Sequence, residues 1–244
     1  MPLETLLELT AGIFVIAILY SSVGHAGASG YIAVMSLLSL APSVIKPTSL
    51  SLNVLVASIA TWQFYRAGHF SWRLFWPFAI LAVPFAFLGG YVSLPTYIFK
   101  IILGMVLIFS AVRCLFELQR DKQILQPPRF QAIAAGAGIG FISGLTGTGG
   151  GIFLTPILLF MGWAEVKTAA AVSALFILVN SMAGLAGYFA NTRSLPSIIV
   201  PLFVAAALGG GIGSYFGSRR FDSVILKRFL AVVLFIAGTK LILT

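Results

Sequence analysis

Charged positions along this chain are separated by unusually long apolar stretches. No Asp, Glu, Lys or Arg occurs in the 37 residues between Glu8 and Lys46, or in the 35 residues between Arg129 and Glu165. One membrane-crossing helix needs about 20 predominantly apolar residues. Each stretch is therefore too long for one crossing and short for two crossings with a turn. We predict that each forms a re-entrant hairpin of two half-helices.

Both long stretches are interrupted near the middle by glycines and other small residues. The first break is 24–30 (Gly-His-Ala-Gly-Ala-Ser-Gly), and the second is 143–151 (Ser-Gly-Leu-Thr-Gly-Thr-Gly-Gly-Gly). Glycine weakens a helix because its backbone loses the most entropy on folding. In lipid, an irregular backbone persists only where protein or a watery cavity supplies hydrogen-bond partners. The breaks should therefore line a site, with the second half-helices beginning near Ala26 and Gly149.

The remaining apolar stretches have the length of single crossings. They cover 47–65, 74–99 and 97–112 in the first half, and 168–192, 194–218 and 224–242 in the second. The predicted fold is an all-α polytopic membrane protein. Each half is a re-entrant helical hairpin followed by three transmembrane helices.

The two halves also match each other in sequence and in order. Gly24 and Gly27 precede Gly147 and Gly150 by 123 residues, and Lys46 precedes Lys167 by 121. The Leu-Gly-Gly of 88–90 recurs at 208–210. A near-constant offset indicates an internal duplication. We predict a first repeat at 1–116, a polar cytoplasmic linker at 117–129 and a second repeat at 130–244.

The distribution of basic residues predicts the orientation of the halves. Eight ordinary crossings would divide the 15 Lys and Arg residues 8 against 7, whereas two hairpins and six crossings divide them 11 against 4. Only the second division obeys the positive-inside rule. Because each half has three crossings, an odd number, the second half is inverted in the membrane relative to the first. The result is an inverted repeat with both termini outside the cytoplasm.

Composition narrows the class of protein. Hydrophobic residues make up 59% of the chain and charged residues 9%, and the mean hydropathy is +1.05. The formal net charge is +9, but the basic residues stand singly or in pairs. Nucleic-acid binding is therefore not expected, because it calls for basic clusters. The charge is better explained as a topology signal, with some attraction for an anion.

The chain lacks the residues of an enzyme active site. It has one cysteine, Cys114, and two histidines far apart in sequence. These cannot supply an intrachain disulfide or a metal-ligand cluster. Almost no carboxylate falls within the apolar stretches, so we expect no enzyme and no cofactor.

Half-helices that begin inside the membrane favour anion binding. Their N-termini carry unpaired N–H groups and about half a positive charge. Hydroxyl and amide groups near the breaks can add donors. The alternative is that the small residues serve close helix packing. The candidate substrate-binding residues are Ser22, Gly24, His25, Gly27, Ser29, Asn53, Thr146, Gly147, Thr148, Gly149, Gly150, Gly151 and Asn180.

Four of the polar side chains allow two interpretations. His25 is the candidate for proton coupling, because an intramembrane histidine can change charge near neutral pH; the alternative is a neutral structural histidine. Lys46 and Lys167 either draw anions into two vestibules or snorkel to the interface. Asn53 and Asn180 either line the cavity or hold helices together.

At this point the sequence resembles the sulfite exporter TauE/SafE family, also called TSUP. The most specific part of the resemblance is 144–156, Gly-Leu-Thr-Gly-Thr-Gly-Gly-Gly-Ile-Phe-Leu-Thr-Pro. The resemblance implies transport of sulfite, sulfoacetate or other organosulfonates across a bacterial inner membrane, with both termini periplasmic. The first break departs from the glycine-rich pattern, which leaves the substrate open and makes His25 a candidate specificity or coupling residue.

The function expected from this sequence is secondary transport of small oxyanions by alternating access. The site would lie at the midplane between the breaks. A passive anion channel is the nearest alternative, and a membrane structural or assembly protein is a further one. The expected partners are a small anionic substrate, the lipid bilayer and a coupling proton or other ion.

Overall fold

The computed structural model describes residues 3–22, 24–115, 125–192, 199–219, 235–236 and 238–243. Every regular element in these ranges is α-helical. The named helices are α1 Leu3–Ser21, α2 Ala28–Leu37, α3 Pro42–Arg66, α4 Trp72–Tyr91, α5 Thr96–Leu115, α6 Arg129–Thr146, α7 Gly151–Phe160, α8 Val166–Thr192 and α9 Ile199–Arg219. Most of the linker predicted at 117–129 and most of the last predicted crossing at 224–242 lie outside the described residues.

Five of the helices are long and apolar enough to cross a membrane. They are α1, α3, α4, α8 and α9, and two shorter apolar helices cover Ala28–Leu37 and Thr96–Val112. The crossings predicted within 47–65, 74–99, 97–112, 168–192 and 194–218 correspond to α3, α4, α5, α8 and α9. The chain is therefore an all-helical, multi-pass membrane protein, as the apolar stretches predict.

The first long apolar stretch forms a helical hairpin. Gly30 of α2 packs against Ile16 and Tyr20 of α1, and Gly12 packs against Val34. The later residues of α2 thus lie beside the earlier residues of α1, so the two helices run antiparallel.

The two arms of each predicted hairpin differ in length. At 1.5 Å per residue, the ten-residue helices α2 and α7 are about 15 Å long, half the thickness of the hydrocarbon core. With 19 and 18 residues, α1 and α6 are about 28 and 27 Å long. Only the second arms are half-helices, because α2 and α7 end at Leu37 and Phe160, before their apolar stretches end, whereas α1 and α6 are nearly as long as the hydrocarbon core is thick.

Elements of the two halves interlock rather than forming separate bundles. Helix α4 packs on α6 and α8, α9 packs on α1 and α3, and α3 packs on α8. Two rows of glycines, spaced four residues apart, let the backbones approach closely. The pairs are Gly136 with Phe78, Gly140 with Ala82 and Gly144 with Ala86, and Gly209 with Phe14, Gly213 with Ile18 and Gly217 with Ser22.

A buried lysine closes the C-terminal end of α4. Lys46 is 7% exposed, and its Nζ donates to the carbonyl oxygens of Gly89 at 3.2 Å, Gly90 at 3.0 Å and Val92 at 3.2 Å. The last carbonyls of a helix lack intrahelical donors and carry partial negative charge, which a lysine complements. Lys167, the residue matched to Lys46 in sequence, is exposed at the start of α8.

We predict that Gly140→Ala destabilises the protein. Its new methyl group would collide with the backbone carbonyl of Ala82, and overpacking of this kind costs about 1–3 kcal/mol. Gly138→Ala is the matched control, since no atom lies within 4 Å of its Cβ position. Thermal unfolding in detergent should give a lower midpoint for Gly140→Ala only. Equal midpoints for the two variants would contradict the packing role.

We also predict different effects for the two matched lysines. Lys46→Met leaves the end of α4 without its donor, which should lower the free energy of unfolding by about 1–3 kcal/mol, as for an unsatisfied buried polar group. Lys167→Met should change it by less than about 0.5 kcal/mol, as is usual for surface substitutions. Denaturant unfolding in mixed micelles measures both, and equal losses would refute the capping role of Lys46.

Candidate functional site

Both breaks depend on the backbone freedom of glycine. Gly24, Gly27, Gly147, Gly149 and Gly150 have φ values between 75° and 102°. This left-handed region costs other L-residues roughly 1–2 kcal/mol each. These glycines make turns, whereas the glycines of the two rows described above serve close packing. Close packing thus explains the glycines of the two rows, whereas anion binding at the breaks stays a prediction.

A half-helix begins directly after each break. Helix α2 begins at Ala28 after Gly27, and α7 begins at Gly151 after Gly150. Each start lies two residues later than the sequence predicts. Neither N-cap residue supplies a side-chain hydrogen bond. The first turn of each helix thus receives no hydrogen bond from an N-cap side chain, and N–H groups at such helix starts can attract anions.

One small cavity lies between the breaks. Its volume is about 10 Å³, room for about one water molecule. Residues from the two breaks, the start of α7 and the three long helices α1, α3 and α8 line it: Tyr20, His25, Ala26, Gly27, Ala28, Ser29, Asn53, Thr148, Ile152 and Ile177. The cavity therefore joins the starts of α2 and α7 with side chains of α3 and α8.

His25 lies between the two halves of this site. Its ring meets that of Tyr20 edge to face, with the centroids 6.4 Å apart. Its backbone N–H donates to the Tyr20 carbonyl at 2.9 Å. The position that a Cβ atom on Gly151 would occupy is 3.6 Å from His25 Cδ2. The histidine of the first break thus lies beside the first residue of α7.

Hydroxyl groups surround the breaks. Ser29 Oγ donates to Tyr20 Oη at 2.9 Å, and the Oγ1 atoms of Thr146 and Thr148 are 3.0 Å apart. Since Thr146 donates its proton to the Ile142 carbonyl, Thr148 is the donor of that pair. Thr148 lines the cavity, whereas Thr146 lies outside the lining and accepts the hydrogen bond from Thr148.

The two matched asparagines have different positions. Asn53 lines the cavity, and its Nδ2 donates to Ser181 Oγ at 3.3 Å. Asn180 is not among the lining residues, although both side chains are fully buried. Within the described part of the chain, Asn53 Oδ1 and both polar atoms of the Asn180 amide have no hydrogen-bond partner. Buried orphan amides of this kind are uncommon, since each costs about 1–3 kcal/mol.

The other candidates lie around the cavity or away from it. Gly149 approaches Asn53 and Ser181, Gly150 packs beside Ile139 and Phe176, and the Gly147 carbonyl accepts from Ser49 Oγ at 2.9 Å. These three glycines lie outside the lining, as do Thr146, Gly151 and Asn180. The remaining predicted residues outside it are Gly24, which packs on Ala170, Ser22, which donates to the Leu19 carbonyl, and Lys46 and Lys167.

Sequence reasoning missed three residues that shape the site. Tyr20 and Ile177 line the cavity, and Ser49 holds the second break. A tyrosine just before a break and a serine among apolar residues are weak signals. Their positions become informative only when α1, α3 and α8 are packed together.

Comparison with known proteins gives consistent matches. The family model described as sulfite exporter TauE/SafE matches residues 9–241. The chain is 43% identical over 239 residues to the probable membrane transporter protein y4hK of Sinorhizobium fredii, covering 96% of this chain and 97% of that protein. It is 30% identical over 151 residues to the probable membrane transporter protein MJ0441 of Methanocaldococcus jannaschii, covering 60% and 56%. No solved structure gives a significant match.

The family match spans nearly the whole chain, including both breaks. The first of these relatives is matched over almost its full length. The resemblance carried by 144–156 is thereby confirmed. This multi-pass membrane protein belongs to the sulfite exporter TauE/SafE family.

Proposed function

We propose that this protein is a secondary transporter of small sulfur-containing oxyanions, such as sulfite, sulfoacetate or other organosulfonates. The observation that carries the proposal is the meeting of two half-helix starts, from opposite halves of the chain, at one buried cavity. The substrate would bind there, and neither the chemistry nor the lining calls for a catalytic residue or a cofactor.

The electrostatics of the cavity favour an anion. Two helix starts together contribute about one positive charge. The lining contains no carboxylate, and it offers the Thr148 and Ser29 hydroxyls as donors. Ser181 can donate as well as accept, so the Asn53 amide can turn its NH₂ group toward a ligand. Desolvation inside the protein strengthens each of these interactions.

Alternating access follows from the size and packing of the site. A cavity that holds about one water must widen before it admits an oxyanion. A continuously open anion channel would need a wider path, so the small volume of the cavity favours a transporter over a passive channel. A purely structural protein has no need for two uncapped helix starts facing a cavity.

The packing of the halves supports an inverted repeat. If the two halves are exchanged, the contact between α4 and α6 corresponds to the contact between α9 and α1. In the same way, the contact between α4 and α8 corresponds to the contact between α9 and α3. Residues follow the same exchange: Gly89 packs on α6 as Gly209 packs on α1, and Gly90 packs on α8 as Gly210 packs on α3. Rocking of two such halves about a central site is a common transport mechanism.

The membrane orientation is part of the same proposal. With re-entrant hairpins the basic residues divide 11 against 4, which orients both termini toward the periplasm of a bacterial inner membrane. The names of the relatives support transport as the activity. The family description names sulfite, which supports sulfur oxyanions as the substrate class.

Ligand binding tests the proposal directly. We expect sulfite or sulfoacetate, and not acetate, to raise the thermal midpoint of the purified protein, because a ligand selective for the folded state stabilises it. Thr148→Val removes a hydroxyl from the cavity and should weaken binding about tenfold, the loss of one charge-assisted hydrogen bond. Thr155→Val is the control, since Thr155 bonds Ser173 outside the lining. Equal affinity in both variants would argue against this site.

If His25 couples proton movement to transport, the rate of anion uptake should depend on pH. His25→Gln cannot change charge, so uptake into proteoliposomes should lose its response to an imposed pH gradient. His69→Gln is the control, because His69 lies in the loop between α3 and α4. If His25→Gln retains the wild-type pH response, His25 has a structural role and another ion drives transport.

A further inference from the structure

A second, larger cavity lies where α4, α6 and α8 begin. Its volume is about 370 Å³, within the range typical of small-molecule sites. It shares no lining residue with the cavity between the breaks. The lining residues that matter here are Ser71, Arg73, Trp76, Arg129, Trp163 and Glu165.

Three separate segments of the chain contribute charged side chains to this cavity, two of them an arginine and one a glutamate. Its lining includes Ser71 and Arg73 around the start of α4, Arg129 at the start of α6, and Glu165 just before α8. The N-cap residues of α4 and α6 supply no side-chain hydrogen bond. Two guanidinium groups and one carboxylate leave the lining with one net positive charge, before the helix dipoles are added.

The two arginines occupy electrostatically unfavourable positions. Arg73 is the second residue of α4 and Arg129 is the first of α6. A cation near a helix N-terminus opposes the helix dipole, whereas an anion there is stabilised. A topology signal alone does not require that arginines from different segments share one concave surface. A bound anion would offset both the guanidinium charges and the dipoles.

Aromatic and aliphatic groups form the rest of the wall. Trp163 is 7% exposed and Trp76 is 58% exposed, and Leu74 and Pro77 also line the cavity. Trp72 stacks on Trp76, with the ring centroids 6.0 Å apart. Tryptophans of this kind are typical of the membrane–water interface. The cavity thus combines two exposed arginines with apolar walls.

We propose that this cavity binds a tetrahedral oxyanion, phosphate or sulfonate, that carries an apolar substituent. Arg73 and Arg129 would bind the oxyanion, because guanidinium matches tetrahedral oxyanions with paired donors. Trp76 and Trp163 would cover the apolar part. The ligand's source is either the headgroup of an anionic phospholipid or a soluble organic anion. The site does not rest on the proposed transport function.

The test is ligand titration of the purified full-length protein in neutral detergent. The probes are inorganic phosphate, methanesulfonate and dihexanoyl-phosphatidylglycerol, with dihexanoyl-phosphatidylcholine and matched chloride as controls. Intrinsic fluorescence reports binding, because Trp76 and Trp163 line this cavity and no tryptophan lines the cavity between the breaks. We expect saturable binding of at least one of the three anionic probes.

Matched variants connect the binding to the arginines. Arg73→Gln and Arg129→Gln should each raise Kd about tenfold, the usual value of one charge-assisted contact. Arg66→Gln is the control, because Arg66 lies over the Trp62 ring outside the lining. Glu165→Gln should lower Kd severalfold, since it removes the one carboxylate from this lining.

The outcomes separate the two sources of the ligand. Binding of the phosphatidylglycerol alone supports a lipid headgroup, and binding of methanesulfonate or phosphate with competition between probes supports a soluble anion. The absence of saturable binding, or an equal loss in Arg66→Gln, overturns the proposal. Thr148→Val should leave this binding unchanged, so failure here is distinguishable from failure at the cavity between the breaks.

Discussion

The structure depends on one constraint: inside a bilayer, every backbone polar group must find its partner within the protein. Helix ends left open in lipid would be costly, because each unsatisfied backbone group costs several kcal/mol. The breaks at 24–30 and 143–151 persist because the packed helices around them exclude lipid. The Ser49 hydroxyl, for example, donates to the Gly147 carbonyl. The starts of α2 and α7, which no N-cap side chain satisfies, are the proposed binding site.

Glycine meets this constraint in two different ways. In the breaks it adopts left-handed backbone angles, as at Gly27 and Gly150, which aim a new helix start at the cavity. In rows such as that through Gly140 and Gly144 it brings helix backbones together, so α4 can pack tightly on α6. This close packing joins helices of opposite halves, α4 with α6 and α9 with α1, while the breaks of both halves meet at one cavity.

Several basic side chains lie at helix ends, where they either complement or oppose the helix dipole. Lys46 caps the C-terminal carbonyls of α4, and Lys240 donates to the Leu37 carbonyl at the end of α2. Both are favourable uses of a cation at a negative helix end. Arg73 and Arg129 are placed the opposite way, at helix starts. Where the chain places a cation against the dipole, a bound anion is the simplest physical compensation.

The sequence by itself determined the membrane class, the helix-breaking segments and the family, because apolar length and glycine content are local properties. It also identified His25, Asn53 and Thr148, which line one cavity. Only the tertiary structure decided how the two members of each matched pair differ. Asn53 lines the cavity and Asn180 does not, and Lys46 is buried while Lys167 is exposed. These differences arise from the packing of α3, α4 and α8, whose contacts join residues far apart in the chain.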